Sequence, residues 1–140
     1  MRKDMMALAA LLSLIMRDAE AMATRCLVID LLHHTCIPLI VRGDFKNTPD
    51  GVTMQHICAA TEIAYDRSVR NMALFNTYDM QRTRPWEKDG AHSHPHQGAP
   101  CVPDQILVSE ECMAAGCESV GDVRKVNYSN DPLRERRGRT

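Results

Sequence analysis

The residues whose types and spacing could do chemistry fall into three groups. The first is His92-Ser93-His94-Pro95-His96, where alternate imidazoles can ligate zinc, nickel or copper, with Cys101, Cys112 and Cys117 downstream. These spacings differ from the paired Cys-x2-Cys ligands of structural zinc modules. His92, His94 and His96 also suit a simpler role as solvated side chains of a polar loop, which on a DNA-facing wing would add pH-dependent phosphate contacts. The expectation is a protein with no metal or other cofactor. The second group is Arg67, Ser68, Arg70 and Asn71. Arg pairs bidentately with guanine and Asn with adenine, so this set has the donors and acceptors to read base edges. The third group is the six cysteines, Cys26, Cys36, Cys58, Cys101, Cys112 and Cys117. An even count suits disulfides in a secreted chain and reduced thiols in a cytoplasmic one. There is no phosphate loop, no dinucleotide glycine cluster and no Gly-x-Ser-x-Gly elbow. Nothing local pairs a cysteine with a histidine as nucleophile and base, so no enzyme is expected.

The segment that must position the second group is 52–75, which reads as a short helix, a tight turn and a second helix. Thr53 suits the N-cap of the first helix, its hydroxyl taking an otherwise orphan N–H. Met54 and Ile57 give that helix an apolar face, Cys58, Ala59 and Ala60 allow a close helix crossing, and Ile63 plugs the space between the helices. Glu62 stands at the turn, where glycine would reach φ > 0 most easily. Asp66 suits the cap of a second helix over 66–75. In that helix Val69, Met72 and Ala73 share one face at i, i+3, i+4, while Arg67, Ser68, Arg70 and Asn71 point the other way. The plainer alternative is two packed helices in a small α-rich domain.

These residues resemble the helix-turn-helix of winged helix-turn-helix transcription regulators, in which the second helix enters the DNA major groove. Downstream, Ile106-Leu107-Val108-Ser109-Glu110-Glu111 is similar to the end of such a domain. There a wing strand closes on a Ser that caps a following helix, with carboxylates at its positive dipole end. Residues 24–34 would be the first helix and 37–41 a short edge strand, where Pro38 is tolerated. Residues 78–105 would supply the wing. The resemblance implies a mainly α fold, a winged helix-turn-helix with a small β-wing and an extra N-terminal helix. It also implies sequence-specific binding of double-stranded DNA by a transcription regulator. Arg67, Ser68, Arg70 and Asn71 would meet base edges or adjacent phosphates, Thr53 and Gln55 the backbone, and Arg82, Arg84 and Lys88 phosphates or the minor groove. The size is similar to that of MarR-type regulators, whose long C-terminal dimerisation helices have no counterpart here, so only fold and DNA-binding role carry over. Winged helices also serve as protein-binding modules, inhibitors or adaptors, and a metal sensor built on the histidine loop is the weaker alternative.

The net charge of −1 argues against a uniformly basic nucleic-acid binder. Basic residues gather instead after Gly121, at Arg124, Lys125, Arg134, Arg136, Arg137 and Arg139. That tail suits phosphate contacts or is a solvated end. At the other end, Arg2 and Lys3 precede an apolar run over 5–16, as in a secretory signal. Arg17, Asp18 and Glu20 interrupt that pattern, and Ser13, Arg17, Glu20 and Thr24 form a polar stripe at helical spacing. The reading is an amphipathic helix over 4–24, continuing with a bend to 34, in a cytoplasmic protein. The run is shorter than the ~20 residues that span a bilayer. Being apolar around most of its circumference, the helix must be covered by the domain or by a second copy. Dimerisation is favoured, because two-fold DNA sites reward a two-fold protein. Cys26, Cys36 and Cys58 are expected in the core, with nine methionines filling an adaptable interior. The organisation is then an N-terminal helix over 1–23, a winged-helix domain over 24–117 and a basic tail over 118–140.

Overall fold

The computed structural model describes residues 2–80, 94–96, 99–114, 119–124 and 126. In chain order these form α1 (Arg2–Leu32), β1 (Ile40–Asp44), α2 (Val52–Cys58), α3 (Ala60–Tyr65), a 3₁₀ segment (Arg67–Met72), β2 (Phe75–Asn76) and α4 (Thr77–Met80). Then come β3 (His94–His96), β4 (Ala99–Cys101), β5 (Asp104–Val108) and a 3₁₀ turn (Glu110–Cys112). The described chain is mainly helical with a small antiparallel sheet, as expected at that level.

α1 is one continuous helix that runs through the junction expected near residue 24. No glycine or proline interrupts residues 2–32, and without one the hydrogen-bond ladder has no cause to kink. The helix ends where His34 turns left-handed at φ 58° and Thr35 Oγ1 donates to the Leu31 carbonyl at 2.8 Å. Only its C-terminal half enters the domain. Ala21, Arg25, Val28 and Leu32 are buried, a stripe at helical spacing. Residues 3–17 are exposed throughout.

β5 is the central strand of the three-stranded sheet, order β1-β5-β2, and is antiparallel to both neighbours. Its side chains alternate. Gln105 and Leu107 are buried, whereas Asp104 and Ile106 are exposed. β1 begins three residues later than the expected edge strand, with Ile40 opposite Val108. Pro38 has no N–H to give a ladder, and the Leu39 N–H donates to Ser109 Oγ at 2.9 Å instead. Between α1, α2 and the sheet lies the core, formed by Ala21, Val28, Leu32, Met54, Ile57, Cys58, Leu74 and Leu107, with Leu39, Val41 and Phe45 packed against it. β3 and β4 make a separate hairpin. Among the described residues no helix is long and apolar enough to cross a membrane.

Two expectations about the core and one about a cap are corrected. Cys26 and Cys36 are exposed, and only Cys58 of the three is buried. Cys26 lies one position beyond the packed stripe of α1. Cys36 falls in the chain after the helix. Ser109 caps nothing with its side chain and is followed by a 3₁₀ turn rather than a helix over its described length. Its hydroxyl oxygen is taken by Leu39.

Candidate nucleic-acid interface

The helix pair expected over 52–75 has a different internal geometry. α2 buries Thr53, Met54, Ile57 and Cys58. Its N-cap is Gly51, not Thr53, and no side chain caps it. A Cβ at Gly51 would collide with the Asn47 side-chain amide. The Thr53 hydroxyl points inward and donates to Asp18 Oδ1 of α1 at 2.9 Å, so it is not placed as an outward backbone contact. Gln55 is exposed, and its amide donates to the Asp50 carbonyl at 3.3 Å. The break between helices falls at Ala59, left-handed at φ 56°, ψ 33°, three residues before Glu62. Ala59 is fully buried, and it holds a left-handed conformation that glycine adopts more easily.

The second helix of the expected motif is replaced by α3 and the 3₁₀ segment, which ends at Met72. Residues 73–76 are extended. Asp66 caps the segment as expected, by accepting from the Ser68 N–H at 2.9 Å. A cap bond to the second residue opens α and 3₁₀ turns alike. A side-chain hydrogen bond with Ser68 first, and this backbone bond second, hold the Asp66 carboxyl below its usual range. At the far end the Arg25 guanidinium donates to the Met72 carbonyl. That contact locks the segment to α1, and burial lowers the Arg25 pKa.

Ser68 and Asn71 are exposed, as is Tyr65, which is 89% exposed at the end of α3. Arg70 is half-buried and its guanidinium is already engaged. Its Nε donates to Glu110 Oε1 at 2.6 Å, its Nη2 contacts Met113 Sδ at 3.9 Å, and its Cζ lies 4.8 Å from the Phe75 ring centre. The guanidinium thus ties the 3₁₀ segment to the end of the sheet. The side chain of Arg67 and residues Arg82, Arg84, Lys88 and His92 lie outside the described set, as do the basic residues 125, 134, 136, 137 and 139. Arg124 is exposed. His94 and His96 are placed in β3 by their backbone alone. Among the described residues no three His, Cys, Asp or Glu side chains gather as a metal site would need.

A cleft of about 590 Å³ is lined by Met54, Cys58, Ile63, Leu74, Asn76 and Asp79 among others. Its walls are mostly apolar with a few polar groups, and it is broadly open to solvent. Burial, with Asp79 nearby, pushes the Cys58 thiol up to about 12, so it is a neutral core group and not a nucleophile. On the sheet side, Asn76 Nδ2 donates to Gln105 Oε1 at 2.6 Å and Gln105 Nε2 donates to the Asn47 carbonyl at 2.7 Å.

Sequence reasoning missed the partners more than the residues. Glu110 was expected to serve a helix dipole, yet it holds Arg70. Asp18 was read only as a charge in α1, yet it holds Thr53. Neither pairing leaves a local signal, since each joins residues more than 30 positions apart. Comparison with protein-family models, with curated proteins and with solved structures finds no match.

Proposed function

We propose that the chain is a winged helix-turn-helix protein that binds double-stranded DNA in a sequence-specific way and acts as a transcription regulator. The observation that carries this reading is the order of elements. A helix, an edge strand, two short helices and a strand lead through a long connection into β5, which lies between the two earlier strands. That order places the end of α3 and the 3₁₀ segment on the surface, with Tyr65, Ser68 and Asn71 open to solvent. In this reading Asn71 and Ser68 touch base edges or phosphates, with Arg67 beside them. Arg70 acts at one remove, by fixing the segment against Glu110. Gln55 reaches the DNA backbone, and Arg82, Arg84 and Lys88 supply phosphate contacts from the connection.

The test is a fluorescence-anisotropy titration with random duplex DNA at low and near-physiological salt. Binding that weakens steeply with salt is expected. Arg67→Ala with Asn71→Ala should abolish it while leaving the fold intact. Absence of binding at low salt would refute the proposal. A second reading, a protein-interaction module, is favoured by one observation: the apolar surface left open along α1, where Leu8, Leu12 and Ile15 are each more than half exposed. In that case random DNA is ignored at every salt concentration and the surface of α1 carries the function.

A further inference from the structure

α1 carries two apolar stripes, and the domain covers one of them. Asp18, Ala21, Arg25, Val28 and Leu32 face the domain. A second stripe lies roughly a third of a turn away. It steps by three and four residues without a break, through Met5, Leu8, Leu12, Ile15, Ala19, Met22, Cys26 and Ile29. This is a heptad seam, with Met5, Leu12, Ala19 and Cys26 at a and Leu8, Ile15, Met22 and Ile29 at d. No charged residue interrupts it. Met5 is 68%, Leu8 56%, Leu12 54%, Ile15 54% and Met22 49% exposed. The polar stripe Ser13, Arg17, Glu20 and Thr24 falls at b and f, on the opposite side. Met6, Leu27 and Leu31 are the apolar exceptions on that back face.

We infer that the seam is covered by α1 of a second copy of this chain, in an antiparallel two-stranded coiled coil. Three observations select this occupant. First, a heptad seam is complementary to another heptad seam, and a second copy carries the same one. From Met5 to Ile29 the seam runs about 36 Å. Leu11 and Met16 flank it and are 53% and 61% exposed. A contiguous apolar strip of that size is rarely left open on a monomer. Second, the back of the helix mixes Arg17 with Glu20, unlike the Lys/Arg-rich polar face of a helix that lies on a membrane.

Third, the residue sizes select the direction. With two-fold symmetry about the middle of the helix, Ile15 faces the partner's Ala19, Leu8 the partner's Cys26, Leu12 the partner's Met22 and Met5 the partner's Ile29. Large meets small where small residues occur, as a close-packed seam requires. A parallel pair would stack Ala19 on Ala19 and Cys26 on Cys26, leaving voids. It would also put Leu at a and Ile at d, a choice that favours higher oligomers. In the antiparallel pair the g positions of both helices flank one edge, so both domains sit on the same side. Leu11 and Leu14, exposed on the free half of α1, then run alongside the partner's domain. Asp18 lies near its mate at the centre, with its carboxylate already turned onto Thr53.

The experiment uses the full chain. Sedimentation equilibrium should give a dimer for the natural sequence. The seam variant Leu12→Asp with Ile15→Asp should be monomeric while keeping its circular dichroism and the protection of Cys58 from alkylation. Ser13→Asp, on the back face, should stay dimeric. For direction, Leu8→Cys protein is treated with diamide as the two-electron oxidant of the thiols. Peptide mapping should find the introduced thiol joined to Cys26 of the other copy. A monomeric natural protein, a tetramer, a seam variant that remains dimeric, or a natural protein that joins Cys26 to Cys26 would each overturn the inference. Binding to anionic vesicles by a chain that is monomeric in solution would do so as well. None of these readouts involves DNA, so the dimer and the DNA-binding reading fail separately.

Discussion

The two halves of α1 use the same residue types for opposite ends. From Ala21 to Leu32 one face is buried in the domain, and even its polar members are satisfied internally, Arg25 on the Met72 carbonyl and Asp18 just before them on Thr53. From Lys3 to Arg17 every residue is exposed, although leucine, isoleucine, methionine and alanine dominate. Hydrophobicity alone does not separate the halves. What separates them is whether the domain supplies a surface within reach. α2 and the 3₁₀ segment pack along the second half, and nothing described lies along the first. The second half is therefore part of the monomer's stability, and the first half contributes only when something else covers it.

Core truncation in the packed half should give the largest contrast. Leu32→Ala removes a fully buried side chain and is expected to cost about 2–5 kcal/mol of unfolding free energy, measured by urea denaturation at low protein concentration. The matching change in the free half, Leu12→Ala, should leave that value nearly unchanged and alter only its concentration dependence. Equal losses at both positions would erase the contrast. Next comes Arg25→Ala. It leaves the Met72 carbonyl without its partner and should cost about 1–3 kcal/mol, with faster amide exchange in the 3₁₀ segment. Thr53→Val keeps the shape but removes the bond to Asp18, and about 1 kcal/mol is expected.

Cys58 gives a pH test confined to the packed side. Burial raises its pKa to about 12 from an ordinary value of 9.0, so the folded state holds the proton more tightly than the unfolded chain does. The stability this provides is complete below pH 9.0 and is lost as pH rises towards about 12. Cys58→Ala should flatten that alkaline decline. Below it, Cys58 should react with iodoacetamide only through global unfolding.

Periodicity made the long helix and its polar stripe legible, and the apolar content of 106–108 marked the central strand. Met54, Ile57 and Cys58 were recognisable as a packed face because helical spacing alone groups them. The Asp66 cap was readable because it acts two residues away. The 3₁₀ geometry was not, since whether a cap opens an α or a tighter turn depends on what waits at the other end. Here that is Arg25, far earlier in the chain. For the same reason nothing near Arg70 in the sequence marks its contacts with Glu110 and Phe75. Cys26 was misassigned to the core because helical periodicity identifies a face without saying which of two apolar faces the domain takes. The heptad step from Met5 to Ile29 held that information and is visible in the sequence once two stripes are sought instead of one.

The buried amides of Asn76 and Gln105 act as a gauge of alignment. β5 is short and apolar enough to slide along β1 by one residue with little loss of backbone bonding. Such a slip would turn Gln105 and Leu107 outward and bring the exposed Asp104 and Ile106 in. Only the correct alignment brings the Gln105 amide between Asn76 and the Asn47 carbonyl. A misaligned chain would bury Asp104 and strand the Asn76 amide, so the polar pair at the middle of the sheet discards wrong pairings that hydrophobic contacts alone would tolerate.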